Sequence, residues 1–204
     1  MTINKGLFIT FEGVDGCGKT TQINLLNNYL KNKNCNTVLT IEPGGSDIGK
    51  NLRQILLHYD GYVDDTCELL LYLADRAQHT KTVIMENIEK GNIVLCDRYI
   101  DSTVAYQGYA RKGDIEKINF LNEIATKGLK PDITFLFDID IETAQNRIGK
   151  EKDRLEKESL DFHNKVRRGY LDIAKQNKRI KVINSTKSIE SIFEEVKNYI
   201  DKLL

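Results

Sequence analysis

Five short apolar runs alternate along the chain with longer segments in which apolar residues recur at helical spacing. Short runs rich in β-branched and aromatic residues, bounded by glycine or polar turns, are typical of buried strands. Strands that alternate with helices indicate a parallel sheet covered by helices on both faces. The sequence therefore predicts an α/β fold with a five-stranded parallel sheet, whose strands are LFITFE (7–12), TVLTIE (37–42), NIVLCD (92–97), ITFLFDI (133–139) and KVIN (181–184).

The segments between these runs have the apolar periodicity of helices that cover a sheet. Gly91 is a good terminator for the longest of them. At 204 residues, with no repeat and no linker, we expect a single domain over 1–204. The predicted helices span 20–31, 48–56, 65–90, 115–127, 142–149, 158–176 and 188–203.

Parallel sheets of this kind bind ligands beyond the carboxyl ends of their strands. The predicted site is therefore built from the segments that follow the strands. These are 13–20, 42–46, 97–103 and the residues near 139.

A glycine-rich loop, GVDGCGKT (13–20), follows the first strand and fits the pattern G-x-x-x-x-G-K-[ST]. Gly13, Gly16 and Gly18 permit backbone conformations that bring amides close to phosphate oxygens. The following helix directs its free N–H groups at the same anion. Lys19 supplies a positive charge for the β- and γ-phosphates, and the hydroxyl of Thr20 is a hard oxygen ligand for Mg²⁺.

The same loop predicts a nucleoside triphosphate ligand, and the sequence favours ATP. The guanine-reading N-K-x-D motif of GTPases is missing from the sequence. Asp97 ends the third strand, where a carboxylate can hold Mg²⁺ directly or through water. Cys17 is expected to contribute only its backbone N–H. The predicted ATP-binding residues are Gly13, Gly16, Cys17, Gly18, Lys19, Thr20, Thr21 and Arg147, and the predicted metal ligands are Thr20 and Asp97.

The charge balance excludes partners held by bulk electrostatics. The chain has 30 Lys and Arg against 30 Asp and Glu, so its formal net charge is zero. Proteins that bind nucleic acid or membranes in this way carry a basic excess, so we expect neither partner. No apolar stretch approaches the length of a membrane span, and the four cysteines match no zinc pattern. We expect a cytoplasmic protein with reduced thiols.

Three arginines near the predicted sheet edge suggest a second anionic substrate. Arg53 lies on the helix after Pro43-Gly44-Gly45, Arg76 lies in LADRAQH, and Arg98 directly follows Asp97. Arginine binds planar oxyanions through two parallel hydrogen bonds, which suits a phosphate acceptor.

Five segments, which together extend along most of the chain, carry a resemblance to a known family. They are FITFEGVDGCGKTTQ (8–22), EPGGS (42–46), LADRAQH (73–79), LCDRYIDSTVAYQGYAR (95–111) and DRLEKES (153–159). With these segments, nearly the whole chain resembles the thymidylate kinase family. DRYIDSTVAYQGYAR separates that family from the adenylate, guanylate and cytidylate kinases, which share the phosphate loop.

The resemblance implies a P-loop nucleoside monophosphate kinase fold and transfer of a phosphoryl group from ATP to dTMP, with Mg²⁺. Asp15 resembles the carboxylate that takes the 3′-hydroxyl of dTMP, and Tyr72 the aromatic that stacks on thymine. Tyr106 resembles the tyrosine that crowds out a ribose 2′-hydroxyl. The implied acceptor-phosphate ligands are Arg98 and Arg53, the implied base-reading residues are Arg76, Thr103 and Gln107, and Glu42 is an acid near the magnesium and acceptor sites.

The resemblance also implies a lid at about 147–156. Members without an arginine inside the phosphate loop carry the catalytic arginine in the lid. This chain has Gly16 at the variable loop position, so it matches the lid type, with Arg154 as the arginine that stabilises the transferred phosphoryl group. Arg147 matches the residue that packs on adenine. The implied catalytic residues are Asp15, Lys19, Arg98 and Arg154.

Two other functions remain open from the sequence. One is another P-loop nucleotide kinase or a deoxynucleoside kinase. Arg98 and the YQGYAR segment argue for an acceptor that already carries a phosphate over a bare sugar. The other is a P-loop switch protein that hydrolyses ATP without a small acceptor. The resemblance further implies a homodimer, for which the helices at 65–90 and 115–127 are candidate surfaces.

Overall fold

The structure is a computed structural model that describes residues 6–149 and 152–204. Its centre is a sheet of five strands in the order β2-β3-β1-β4-β5, and all neighbouring strands run parallel. The prediction of a five-stranded parallel sheet is therefore confirmed. The strands are β1 (Phe8–Glu12), β2 (Thr37–Ile41), β3 (Ile93–Asp97), β4 (Ile133–Asp138) and β5 (Ile180–Asn184).

The helices lie where the apolar periodicity places them, with two differences. The segment predicted as one helix over 65–90 contains a π-helical stretch, Thr80–Met85. The segment between Arg98 and Asp114, for which no element was predicted, forms a short helix that continues as the π-helical stretch Val104–Ala110. The α-helices are α1 (Lys19–Asn32), α2 (Asp47–His58), α3 (Asp65–His79), α4 (Glu86–Glu89), α5 (Ile100–Thr103), α6 (Ile115–Thr126), α7 (Ile141–Arg147), α8 (Leu160–Gln176) and α9 (Ile189–Ile200).

The central strand β1 is buried along its whole length. Its neighbours β3 and β4 are buried almost throughout, as continuous apolar runs in parallel sheets are. Phe11 lies between two rings of β4, with centroids 5.8 Å from Phe135 and 6.2 Å from Phe137. This aromatic layer anchors the strand whose carboxyl end begins the phosphate loop.

The path of the chain puts the functional edge at β1 and β3. The connection from β1 to β2 passes over β3, whereas every later connection runs in the opposite direction across the sheet. Because such crossovers are right-handed, α1 lies on one face, where it packs against α9, and α8 lies on the other. The crevice where the strand order reverses is where open α/β sheets bind ligands.

None of the helices in the described ranges combines the length and the hydropathy that a membrane span requires.

Candidate active site

One cavity of about 650 Å³ opens at the carboxyl edge of the sheet. It brings together residues that the sequence places far apart, and it is the size of a pocket that encloses a small-molecule ligand. Gly13 and Arg154 are the predicted site residues outside its lining among the described residues. The predicted residues that line it are Asp15, Gly16, Cys17, Gly18, Lys19, Thr20, Thr21, Glu42, Arg53, Tyr72, Arg76, Asp97, Arg98, Thr103, Tyr106, Gln107 and Arg147.

The phosphate loop has a backbone that only glycine adopts without strain. Gly13, Gly16 and Gly18 have φ of 136°, 79° and 96°. A Cβ at Gly16 would lie 2.2 Å from the carbonyl oxygen of Ala144 on α7, so this position has no room for a side chain. Gly18 precedes α1, whose first turn has no side-chain cap and leaves its N–H groups available for an anion.

Lys19 folds back over the loop that precedes it. Its buried ammonium donates to the carbonyl oxygens of Gly13, at 3.1 Å, and Val14, at 3.2 Å. Gly13 therefore positions the lysine without lining the cavity. The Cys17 side chain is buried, and its N–H donates to the carbonyl of Val14 at 3.4 Å.

The residues predicted to hold magnesium fit that ion. Asp97 and Thr20 both line the cavity. The Oδ1 atom of Asp97 is buried and has no hydrogen-bond partner among the described residues, which is the condition of an oxygen that accepts an outside ligand. The described ranges hold no cluster of three or more His, Cys, Asp or Glu that could form a closed metal cage. Mg²⁺ in nucleotide sites uses one or two protein oxygens together with phosphates and water.

Asp15 and Arg98 join the phosphate loop to the rest of the cavity. An Nη atom of Arg98 donates to Oδ1 of Asp15 at 2.6 Å, and the same oxygen lies 4.0 Å from the Lys19 ammonium. Burial by itself raises the pKa of the Asp15 carboxyl, but the charges of Arg98 and Lys19 outweigh it and bring the pKa to about 2. The aspartate is therefore ionised at every physiological pH and holds the arginine in place.

Arg98 is placed by an unusual backbone and by aromatic neighbours. It has a φ of 69°, in the left-handed region, directly after β3. Its guanidinium lies 5.3 Å from the centroid of Tyr106 and donates to the hydroxyl of Tyr170 at 3.1 Å. The Tyr106 hydroxyl in turn lies 3.5 Å from Oδ2 of Asp15. Tyr106 thus packs against the pair predicted to hold the acceptor.

Glu12 organises this corner, and the sequence reasoning missed it. The buried carboxylate accepts from the N–H of Tyr99 at 2.8 Å and from the hydroxyls of Ser102, at 2.6 Å, and Tyr170, at 3.0 Å. Burial, with Asp101 nearby, raises its pKa to about 7. The signal that could have found it is a glutamate that ends an otherwise apolar, fully buried strand.

Arg53 reaches the same cavity from α2. Its Nη1 atom donates to the carbonyl oxygen of Pro43 at 2.6 Å, and its aliphatic stem packs on Gly44, where a Cβ would lie 2.9 Å from the arginine Cδ. The EPGGS loop therefore holds this arginine by its backbone, which leaves most of the guanidinium donors available to an anion.

Arg76 is the centre of a buried hydrogen-bond network. Its Nε donates to Glu42 at 2.8 Å, Nη1 to Thr103 and to Asn122 at 2.8 Å, and Nη2 to the carbonyl of Tyr99 at 2.8 Å. Four of its five N–H groups therefore have protein partners. One donor remains without a protein partner among the described residues, and the other four join Arg76 to the loops after β2 and β3 and to α5 and α6.

Glu42 is the main anionic partner of Arg76, and it is buried as well. Its second oxygen pairs with Nδ1 of His79 at 2.9 Å, and the other ring nitrogen of His79 contacts the Thr40 hydroxyl at 2.6 Å. Glu42 therefore lines the cavity and at the same time belongs to this buried network.

Arg154 lies between two residues that line the cavity, Asp153 and Leu155, and its own side chain contacts α2 and α3. Its Nε donates to the carbonyl oxygen of Leu56 at 2.9 Å, and an Nη atom forms an ion pair of 2.7 Å with Glu68. Lys150, within the predicted lid, lies outside the described residues, as does Glu151. Within the described part of the lid, the Arg154 side chain is therefore held by α2 and α3.

A further wall of the cavity comes from the loop after β5, which the sequence reasoning overlooked. Ser185, Lys187 and Ile189 line the cavity near Gln22. The Oγ of Ser185 and the Oε1 of Gln22 are buried without a hydrogen-bond partner among the described residues. The signal was available, since β5 ends at the same edge of the sheet as the other strands.

Comparison with known proteins identifies the family. The family model described as thymidylate kinase matches residues 11–196. This chain belongs to the thymidylate kinase family. It is 46% identical over 202 residues to the thymidylate kinase of Thermoanaerobacter sp. (strain X514), covering 98% of this chain and 100% of the relative. It is 50% identical over 189 residues to that of Sulfurihydrogenibium sp. (strain YO3AOP1), covering 92% and 93%.

A solved structure agrees with the sequence relatives. The crystal structure of thymidylate kinase from Ehrlichia chaffeensis superposes with a TM-score of 0.81 at 38% identity, covering 96% of this chain and 98% of that one. The resemblance to thymidylate kinases and the P-loop nucleoside monophosphate kinase fold are both confirmed, and the chain is a kinase.

Proposed function

We propose that this protein transfers the γ-phosphoryl group of ATP to dTMP, giving ADP and dTDP for dTTP synthesis. The observation that carries this is the chain of contacts from Lys19 through Asp15 to Arg98. It joins a phosphate loop to an arginine-lined pocket across a few ångströms. That arrangement suits an acceptor phosphate facing the γ-phosphate of a bound nucleotide.

The donor half binds ATP through the backbone of 13–18 and the N-terminus of α1. Lys19 leaves its loop carbonyls and neutralises charge on the β- and γ-phosphates. Thr20 and Asp97 hold Mg²⁺, which when bound neutralises phosphate charge and orients the oxygens. Arg147 stacks on adenine. Phosphoryl transfer depends on such positioning and charge neutralisation more than on proton abstraction.

The acceptor half holds dTMP. Arg98 and Arg53 bind its phosphate, an oxygen of which attacks the γ-phosphorus as the bond to the β-phosphate oxygen breaks. Asp15 accepts the 3′-hydroxyl, and Tyr106 fills the space a 2′-hydroxyl would need. Tyr72 stacks on thymine. The base is read by Arg76, Thr103 and Gln107.

A coupled assay of ADP release tests this activity. We expect release that requires dTMP and divalent magnesium, with much slower release when AMP replaces dTMP. ADP release without any acceptor would support an ATPase switch protein. Faster release with thymidine than with dTMP would support a deoxynucleoside kinase. Either result would overturn the proposal.

Arg154 acts as the catalytic arginine of the lid. Gly16 supports this, because a side chain there would collide with the backbone of α7, and so the loop itself cannot supply an arginine. For catalysis the Arg154 guanidinium must leave Glu68 and contact the transferred phosphoryl group as the lid moves.

Arg154→Ala should lower kcat by about a thousandfold, the scale of an arginine finger, with a normal unfolding curve. Lys152→Ala, in the same lid segment, is the matched control and should change kcat by less than about twofold. An unchanged rate in Arg154→Ala would restrict this residue to its ion pair with Glu68.

The protein acts as a homodimer built on α3 and α6, which pack side by side. Three of their apolar side chains point to solvent: Leu70, Phe120 and Ile124 are each more than half exposed. Exposed apolar side chains grouped on adjacent helices are typical of an interface. Sedimentation velocity should give a dimer that Phe120→Asp dissociates, whereas Leu160→Asp on α8 leaves it intact. A wild-type monomer would contradict this.

The chain functions as one domain over 1–204 in the cytoplasm. The single sheet supports this, because its five strands come from along the chain between residues 8 and 184. Neither half of the chain therefore has a sheet of its own.

A further inference from the structure

Glu68 is a buried carboxylate to which the proposed mechanism gives no role beyond holding Arg154 before the lid moves. It lies on α3, and its side chain is 1% exposed. It accepts from Nε2 of Gln107 at 2.8 Å, and it pairs with Arg111 at 3.4 Å and with Arg154 at 2.7 Å. Burial raises the pKa of this carboxyl, but the Gln107 hydrogen bond and the two arginines outweigh it, so the pKa lies below its usual value.

An ionised carboxylate accepts hydrogen bonds and cannot donate them. Gln107 must therefore present its NH₂ group to Glu68, which leaves its Oε1 atom on the other side of the amide. Gln107 lines the cavity, and among the described residues no protein donor contacts this Oε1 atom. The amide thus offers the ligand an acceptor and not a donor.

We propose that Glu68 is the residue that sets base selection, by holding the Gln107 amide so that its oxygen faces the acceptor base. Thymine and uracil carry a ring N3–H that donates to such an oxygen. Cytosine carries a lone pair at N3, which the same oxygen repels. The inference rests on the proposed function, in which Gln107 reads the base of dTMP.

Arg111 and Arg154 keep this orientation fixed before any ligand binds. Arg111 also pairs with Asp65 at 3.3 Å and with Glu158 at 2.6 Å, so it is held in place from three sides. Without the two arginines a buried Glu68 would take up a proton. A protonated carboxyl could donate to Oε1 of Gln107, and the amide could then turn its NH₂ group to the base.

Glu68→Gln tests the proposal, because its neutral amide accepts or donates and no longer dictates how Gln107 turns. Dissociation constants of dTMP and dCMP, measured by calorimetry, give their ratio. We expect the preference for dTMP to fall at least about tenfold, the effect of one mispaired polar group. The control Glu116→Gln removes a charge from an exposed site on α6 and should leave the ratio unchanged. Equal weakening of both nucleotides in Glu68→Gln would mean a merely structural role and would overturn the proposal.

A double-mutant cycle with Gln107→Met separates the two assignments. Gln107→Met should itself reduce the preference for dTMP, and Glu68→Gln in that background should not reduce it further. An unchanged preference for dTMP in Gln107→Met would instead overturn the proposed base-reading role of Gln107. A further loss in the double variant would show that Glu68 acts by another route.

A measurement on the wild-type protein does not depend on any variant folding. The side-chain amide protons of Gln107, assigned by through-bond correlation, should exchange slowly with water and stay protected when dTMP is added. Exchange as fast as that of an exposed glutamine would show that the amide is not fixed by Glu68 and would overturn the proposal.

Discussion

The donor and acceptor halves of the cavity are built by different means. The centre of the donor half is the phosphate loop, eight consecutive residues, 13–20, whose hold on a nucleotide depends mainly on backbone conformation and one lysine. The acceptor half is a network of buried side chains joined across long sequence separations, such as Arg76 with Glu42 and with Asn122. A site built mainly from backbone can lose a functional side chain and stay folded. In a buried polar network the same side chains support the fold and bind the substrate, so the loss of one affects both.

The largest expected effect comes from breaking the acceptor network. Arg76→Met removes the partner of the buried Glu42, and loss of one member of a buried ion pair costs about 3–5 kcal/mol. Urea denaturation should show this loss in the free energy of unfolding. Arg53→Met is the matched control, since Arg53 has one backbone hydrogen bond, and it should cost less than about 1.5 kcal/mol. Equal losses would remove the distinction between network and ligand-binding arginines.

In the donor half the same kind of change should affect rate and not stability. Lys19→Ala removes a preorganised charge from the phosphates and should lower kcat by about a hundredfold to a thousandfold. Its free energy of unfolding should change far less than that of Arg76→Met, because the contacts of the lysine lie within its own loop, 13–17, and the nearest carboxylate, Asp15, is 4.0 Å away. A large loss of stability would place Lys19 among the structural residues.

Two carboxyl groups beside the cavity, Glu12 and Asp15, should make the stability depend on pH in opposite directions. Glu12 in the folded protein holds its proton up to about pH 7, whereas the unfolded chain releases it near 4.5. Stability therefore falls as pH rises from 4.5 to 7, by up to about 3 kcal/mol. Asp15 is the reverse case, since its pKa drops from 3.8 to about 2, and its contribution is lost as pH falls through that range.

Denaturation curves of Glu12→Gln and of wild type between pH 4.5 and 7 test the first window. The variant should lose the downward slope that Glu12 causes. If the fall in stability with rising pH persists in Glu12→Gln, another group causes it. Asp15→Asn should flatten the curve below pH 4 alone.

The smallest expected effects compare two glycines of the phosphate loop. Gly16→Ala should destabilise the fold by about 2 kcal/mol, because its Cβ meets a backbone oxygen of α7. At Gly18 no atom lies within 4 Å of a Cβ, so Gly18→Ala should cost only the strain of a positive φ, about 1 kcal/mol. Thermal unfolding distinguishes them, and equal destabilisation would mean that φ alone decides at both positions.

Much of the fold could be predicted because its signals are local. The five strand positions follow from continuous apolar runs, and the phosphate loop from its spacing. The helical segment between Arg98 and Asp114 could not be predicted. It is buried on most sides, so its sequence lacks the polar face that makes helical periodicity visible. The lid arginine was recognised as a residue, but its contact with Glu68 depends on packing between α2, α3 and the lid.

The sequence by itself determined the class of the protein: a parallel sheet, a phosphate loop at the end of its first strand, and a set of arginines suited to a phosphate acceptor. Backbone signals such as glycine spacing and apolar runs act over a few residues, so the sequence displays them directly. Only the tertiary structure decided which polar side chains meet. Glu12 with Tyr170, Arg76 with Asn122 and Glu68 with Gln107 are brought together by the sheet and its crossovers. Burial then gives those contacts their strength, because an unpaired polar group away from water is costly.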